Sequence, residues 1–114
     1  MTPSTYESIW SSDVAQDCIN LNVRLAEWLA ERLFFLSMNT HGCPASYIDN
    51  DPNDDNLVHM RANARWREEL ATHAQSLAEW VVRSDDIDGA SQVDYERAQA
   101  AIRFVADNLG TLWD

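Results

Sequence analysis

One long periodic stretch of the chain, residues 13–39, decides which architectures are open to it. Apolar residues recur there at every third or fourth position, which is the spacing of one buried face of an α-helix. These residues are Val14, Cys18, Leu21, Leu25, Trp28, Leu29, Leu33 and Leu36. Because most of the stability of a helix in a protein comes from the packing of such a face, the pattern predicts one long helix covered by the rest of the chain.

Two further segments show the same spacing. Residues 56–83 are apolar at Leu57, Met60, Trp66, Leu70, Ala74, Leu77 and Val81. The segment that starts at residue 91 and ends as a helix near residue 108 has a predicted buried face of Val93, Ala98, Ala101, Ile102, Val105, Leu109 and Leu112. Gly42 ends the first helix, and a turn at residues 85–89 separates the other two. No segment alternates with the period of a strand. We therefore predict a single all-α domain over residues 1–114, an antiparallel bundle of three main helices plus a short N-terminal helix at residues 5–10.

One end of the first helix is too apolar for a single core. The run Leu33, Phe34, Phe35 and Leu36 is apolar on every side of the helix. The third helix is the shortest, which leaves part of the first two uncovered, including Phe34, Phe35 or Trp66. We predict that a homodimer covers this run through those four residues. The spacing places three tryptophans in the core: Trp28, Trp66 and Trp80.

The chain is strongly acidic, with 19 acidic residues against eight basic residues and a net charge of -11. All the basic residues are Arg. A negative surface repels nucleic acid and attracts proteins that normally bind it, so direct nucleic-acid binding is excluded and a basic partner is predicted. The candidate partner-binding acids lie in the 49–55 loop and around the 85–96 turn: Asp49, Asp51, Asp54, Asp55, Asp85, Asp86, Asp88, Asp94 and Glu96. The alternative is that these are solvated acidic helix ends.

Arg61 and Arg65 lie one helical turn apart at the start of the second helix. At that position they are predicted to pair with Asp54, with Asp55 or with a partner chain.

No residue pattern completes a catalytic or metal site. Residues 49–53 begin like a calcium loop, but Asp54 stands where such a loop needs Gly and Met60 where it needs Glu. His41 and Cys43 offer only two of the four ligands of a closed zinc site. The pair Glu69 and His73 lacks the repeated Glu-x-x-His spacing of a di-iron bundle. With no G-x-S-x-G motif and no Gly-rich phosphate loop, we expect neither enzyme activity, nor a cofactor, nor a metal.

The sequence also predicts a compartment. No apolar run approaches the ~18–20 residues of a membrane span, and residues 1–4 do not open a signal peptide. The two cysteines, Cys18 and Cys43, form no disulfide framework and are interpreted as reduced thiols. These features predict a cytoplasmic protein that does not enter a membrane.

In its small size, helical pattern, strong acidity and lack of a catalytic constellation, the chain resembles the small acidic inhibitors that phages carry against host defence. These include helical anti-CRISPR proteins and DNA-mimic anti-restriction proteins. The resemblance implies a non-enzymatic inhibitor, acting in the host cytoplasm, whose carboxylates occupy the nucleic-acid site of a basic host protein. The four Arg of the second helix depart from a full DNA mimic, so steric block is equally compatible.

A second function of a different class stays open. The all-Arg, Asp-rich composition is also typical of an organism with an acidic proteome. In that case the chain is predicted to be a helical, dimeric interaction or assembly module, such as an adaptor or a scaffold.

Overall fold

The protein's structure, a computed structural model, describes residues 12–53 and 55–113, and of Ser12, Asp13 and Asp17 it describes only the backbone. Its helices are α1 (Ser12–Asp17), α2 (Leu21–Asn39), α3 (Ala45–Asp49), α4 (Val58–Ser84) and α5 (Gln92–Asp107), and a 3-10 turn follows at Leu109–Thr111. The described ranges contain no strand, and the predicted all-α bundle is confirmed. The helix predicted at residues 5–10 lies outside the described residues.

Helix α4 is the centre of the bundle, because α2, α3 and α5 all pack against it. Both long neighbours run antiparallel to it. Thr40, just past the end of α2, meets Arg67 in the first half of α4, whereas Ala26 near the start of α2 lies with Leu77 near the end of α4. We predicted that the rest of the chain packs around the first helix. That prediction was wrong, because the other helices pack around α4, the longest helix.

The predicted continuous helix over residues 13–39 was wrong, since a turn at residues 18–20 separates α1 from α2. Asn20 adopts the left-handed conformation, with φ 58° and ψ 42°, which Asn tolerates better than most residues other than Gly. The side chain of Arg24 spans the turn, because its Nε donates a hydrogen bond to the carbonyl of Ile19 at 3.0 Å. A single left-handed residue leaves the apolar spacing on either side unchanged, so periodicity did not reveal the break.

The core is built around Trp66, whose exposed fraction is 1%. Its ring packs edge-on against Tyr47 of α3, with ring centroids 5.6 Å apart. It also packs against Phe104 of α5 in a tilted arrangement, with centroids 5.3 Å apart. The expectation that the uncovered surface includes Trp66 was wrong, because α3, a helix that we did not predict, covers it. The other buried apolar residues are Ala26, Ala30, Leu33, Ala62, Leu70, Ala74, Leu77, Ala98 and Ala101.

Helix α2 has a buried side and an apolar exposed side. Only Ala26, Ala30 and Leu33 of this helix are fully buried, and all three face the core. Of the residues predicted to form its buried face in the N-terminal half, Leu29 is half-buried against the core, but Leu21, Leu25 and Trp28 are exposed. Elsewhere the predicted core residues Leu57, Met60, Val93, Ile102 and Leu109 are also exposed. We call the exposed apolar side the outer stripe; it consists of Leu21, Leu25, Trp28, Phe35 and Met38. Ala26 and Ala30 allow close helix approach to α4, Leu33 is the large residue of α2 that is fully buried there, and the outer stripe stays exposed.

The four residues predicted for self-association are divided between these two sides. Leu33 is 2% exposed and belongs to the protein's own core, and Phe34 and Leu36 are half-buried beside it. Phe35 points outward in the outer stripe. Of the predicted run, Phe35 is therefore the residue that a second copy can reach most fully.

We expect the protein to self-associate through the outer stripe, because apolar surface of this extent is normally covered. The double variant Trp28→Asp/Phe35→Asp should be monomeric in multi-angle light scattering at a concentration at which the wild type is dimeric. Val82→Asp, which adds a charge at an exposed apolar position of α4, is the matched control and should remain dimeric. A wild-type protein that is monomeric at high micromolar concentration would contradict this prediction.

Candidate partner-binding surface

The guanidinium of Arg61 organises the 49–55 loop. Its Nε and Nη2 contact the two carboxylate oxygens of Asp51 at 3.2 and 3.0 Å, and Nη2 also donates to the carbonyl of Asn53 at 3.0 Å. Asp55 accepts a hydrogen bond from Arg61 Nη1 at 3.2 Å and forms an ion pair with Nη2 at 3.0 Å. The pairing predicted between Arg61 and Asp55 is confirmed, and Asp51 is the stronger partner that the sequence did not single out. The loop that begins like a calcium site is thus organised around an arginine of α4.

Three more polar side chains of α4 form hydrogen bonds to the segment between α2 and the end of α3. Arg67 donates through Nε to the carbonyl of Thr40 at 3.0 Å, and Asn63 donates to the carbonyl of Gly42 at 2.9 Å. Arg65 donates to the carbonyl of Tyr47 and lies 5.5 Å from the centre of its ring. Side chains of α4 therefore hold the connection from α2 in place, and with it the Tyr47 ring that covers Trp66.

This arrangement neutralises much of the acid in the loop. The side chain of Asp51 is only 3% exposed, and hydrogen bonds from Arg61 hold the pKa values of Asp51 and Asp55 below their ordinary range. Asp49 is exposed at the end of α3, and Asp54 lies outside the described residues. Of the acids predicted here to bind a partner, two are already paired within the chain.

Asp94 is likewise occupied. Its backbone N–H donates to Ser91 Oγ at 3.1 Å, and its carboxylate accepts from the Ser91 N–H at 3.0 Å, so the two residues form a capping box at the start of α5. The carboxylate also forms an ion pair with Arg83. These bonds, first of all the one from the Ser91 N–H, lower the pKa of Asp94. With its side chain 7% exposed, Asp94 joins α4 to α5 and is not available to a partner.

The turn between α4 and α5 carries the accessible acid. Asp85, Asp86 and Asp88 are exposed, and among the described residues no Arg or His forms an ion pair with them. Ile87, between them, is fully exposed. Gly89 ends the turn with a φ of 71°, a conformation that favours Gly. We call residues 85–88 the acidic turn; Glu96 lies exposed on the first turns of α5.

An apolar groove opens at the same end of the bundle. It lies between α2 and α5, with α4 as its floor, and has a volume of about 320 Å³. Its apolar lining includes Leu25, Ala26, Leu77, Trp80, Ala98 and Ile102, and Arg103 is the charged residue that lines it. We call it the α2/α5 groove. The sequence predicted Ile102 and Leu25 as core residues. That prediction was wrong, because α2 and α5 do not close over α4 and both side chains line the groove.

The remaining candidate ligands do not converge. Among the described residues, no three His, Cys, Asp or Glu side chains are placed to hold one metal ion. His73 stacks on Phe104 with ring centroids 4.2 Å apart, and burial lowers its pKa. Cys18 is exposed and Cys43 half-buried; both thiols are free, and burial raises the pKa of Cys43. No helix in the described ranges is both long and apolar enough to cross a bilayer.

Comparisons with protein-family models, with curated proteins and with solved structures find no match for this chain.

The pairing of Arg61 with Asp51 and Asp55 predicts how the stability of the protein changes as the pH falls. Because the folded pKa values of Asp51 and Asp55 lie below the ordinary value of about 3.9, their stabilisation is present above that pH. It is lost as the pH falls through the lower folded values. In urea unfolding between about pH 7 and 2.5, we expect Asp51→Asn/Asp55→Asn to reduce the loss of stability on acidification. Asp49→Asn, which removes an exposed carboxylate of the same loop outside the Arg61 contacts, is the matched control; equal slopes for the double variant and the wild type would contradict the arrangement.

Proposed function

We propose that this protein is a non-enzymatic inhibitor of the kind that phages carry against host defence. In this function it binds a basic, nucleic-acid-handling protein and competes with its nucleic acid. The acidic turn is the observation that supports this most directly. Three accessible carboxylates lie within four residues at a corner between two long helices. The capping box of α5 and the Arg83–Asp94 ion pair hold that corner in place.

A rigid row of carboxylates suits a site built for phosphates. Arg and Lys side chains that line a nucleic-acid channel lose their phosphate partners when the channel is empty, and a negative surface of fixed shape can replace those phosphates. A net charge of -11 also speeds the encounter with such a channel. Because exposed ion pairs contribute only ~0.2–1 kcal/mol each, a useful affinity also requires an apolar contact at the centre of the interface. Ile87, fully exposed among the aspartates, can provide one.

The alternative function, a dimeric assembly module, is favoured by the outer stripe. It places five large apolar side chains on one side of α2, which is more typical of an interface between helical subunits than of a phosphate mimic. In that case the acidic turn only keeps the assembly soluble.

A competition experiment separates these two functions. Immobilised protein captures its partner from a host lysate at low salt, and labelled nucleic acid is then titrated onto the captured partner. Competitive inhibition requires that nucleic acid releases the partner and that affinity falls steeply with salt, because exposed charges are screened over about 10 Å at 0.1 M. A partner that binds both at once, with an affinity independent of salt, would support the assembly module instead.

A further inference from the structure

We propose that two copies of this chain exchange their N-terminal helices, so that α1 of each copy lies in the α2/α5 groove of the other. We call residues 12–19 the arm; it consists of α1 and the start of the turn that precedes α2. The proposal goes beyond the proposed function, because it concerns how the protein assembles and holds for either function. It follows from the exposure and the charge of two surfaces, the arm and the groove.

The arm is not covered by the chain to which it belongs. All of its side chains that the structure describes are exposed: Val14, Ala15, Gln16, Cys18 and Ile19. Val14 and Cys18 are four residues apart and so lie on one side of the helix. Because α1 has only six residues, it is too short to be a stable helix by itself. An apolar contact from outside the chain would stabilise it.

The groove fits the arm in length and in lining. A helix of six residues measures about 9 Å, and the groove follows α5 from Tyr95 to Arg103, eight residues or about 12 Å. Its lining is mostly apolar, and its volume of about 320 Å³ lies at the lower end of the range for pockets that hold specific ligands. The groove can therefore accept a few apolar side chains from one side of a short helix.

The charge of the groove favours the arm over a basic segment. Arg103 is the charged residue of the lining, and among the described residues no acidic side chain forms an ion pair with it. The arm carries Asp13 and Asp17 and no basic residue. Opposite charges across an interface favour association, and like charges act against it. An acidic arm thus complements Arg103, whereas a basic helix would be repelled by it.

The arm reaches the groove of a second copy and not its own. None of its described side chains lines the groove of the same chain. Left-handed Asn20 and the hydrogen bond from Arg24 Nε to the Ile19 carbonyl hold the turn that directs α1 away from it. Exchange of an identical element between two copies is a low-cost route to a dimer. Leu25 lines the groove and belongs to the outer stripe, so an arm in the groove also covers this part of the stripe.

A complementation experiment tests the exchange. The arm variant is Val14→Asn/Cys18→Asn, and the groove variant is Ile102→Asn/Arg103→Gln; neither changes Leu25, which the outer stripe shares. Dimer dissociation constants are measured by sedimentation velocity at about 0.15 M salt, which screens the repulsion between two copies of net charge -11. We expect each variant to dimerise at least about tenfold more weakly than the wild type, because both exchange contacts of its dimer are impaired.

A mixture of the two variants restores one of these contacts, since an intact arm then meets an intact groove. We expect the labelled arm variant to bind the groove variant at least about threefold more tightly than either variant binds itself. Val82→Asn/Val93→Asn, which changes two exposed apolar residues outside the groove and the arm, should dimerise within about twofold of the wild type. Circular dichroism confirms that all variants fold. A mixture that associates no more tightly than the separate variants would overturn the proposal, as would a wild type that is monomeric at high micromolar concentration.

Cross-linking provides a measurement that leaves the arm unchanged. In a Cys43→Ser background, Ile102→Cys places a thiol in the groove, and the native Cys18 of the arm is exposed. With a short bifunctional thiol reagent, we expect a covalent dimer well above the level given by Val82→Cys in the same background. If the cross-link forms within one chain, the arm covers its own groove and the proposal is overturned; the absence of any link above the control overturns it as well. Neither result bears on competition with nucleic acid, so the proposed function is tested separately.

Discussion

Trp66→Ala is expected to lower the free energy of unfolding by about 3–5 kcal/mol, the usual cost of removing a fully buried large aromatic side chain. Trp66 is 1% exposed and joins three helices, because its ring packs on Tyr47 of α3 and on Phe104 of α5. A domain of this size is stable by only about 5–15 kcal/mol. The variant is therefore expected to be partly unfolded at 37 °C, with its urea midpoint lowered accordingly.

Trp28→Ala is the matched control. Trp28 is 53% exposed in the outer stripe, where the guanidinium of Arg32 lies 4.1 Å from the centre of its ring. Loss of an exposed cation–π contact costs about 0.5–1 kcal/mol, well below the expected cost at Trp66. Equal destabilisation by the two substitutions in urea unfolding, measured at a concentration where both are monomeric, would show that the packing described for Trp66 is wrong.

The sequence predicted the centre of the bundle better than its edges. Helical spacing identified the buried face of α4 because Trp66, Leu70, Ala74 and Leu77 all face a core. Those positions are covered from two sides, so their burial does not depend on how far α2 and α5 diverge. The same reasoning identified α5, whose start is fixed by the local hydrogen bonds of its capping box.

The same spacing was misleading on α2, where Trp28 was predicted to be buried and is exposed. An apolar stripe shows that a helix needs cover, but not whether that cover comes from its own chain. Here Ala26, Ala30 and Leu33 face the core, and Trp28 lies with the other exposed apolar residues of the outer stripe. The spacing of apolar residues does not show how closely two helices approach each other. That distance decides which side of α2 faces the core.

The sequence predicted which segments of the candidate surface are acidic, but not which of their acids are accessible. Composition identified both acidic segments, yet it could not show that Arg61 binds Asp51 across ten residues or that Asp94 turns inward to Arg83. Those pairings depend on how α3 and α5 lie against α4. The α2/α5 groove had no signal in the sequence, since it exists only because two helices pack on a third without closing over it.

With Asp51, Asp55 and Asp94 paired inside the chain, the acidic turn carries acids that a basic partner can reach. Neutralising the acidic turn with Asp85→Asn/Asp86→Asn/Asp88→Asn should weaken binding to the basic partner by about tenfold or more, since three accessible charges are lost at once. The dependence of affinity on salt should fall as well, because fewer charges are then screened at the interface. Folding should be little affected, since the three side chains are exposed.

A second triple variant removes the same number of charges elsewhere. Glu27→Gln/Glu68→Gln/Asp107→Asn changes one exposed acid on each of α2, α4 and α5, and so produces the same net charge as the turn variant. If the acidic turn is a specific surface, this control should bind the captured partner within about threefold of the wild type and keep its salt dependence. Both variants are titrated against the captured partner at two salt concentrations. If the two lose affinity equally, net charge alone attracts the partner, and the acidic turn has no special part in binding. If neither loses affinity, the contact is apolar, and the assembly module through the outer stripe becomes the better explanation.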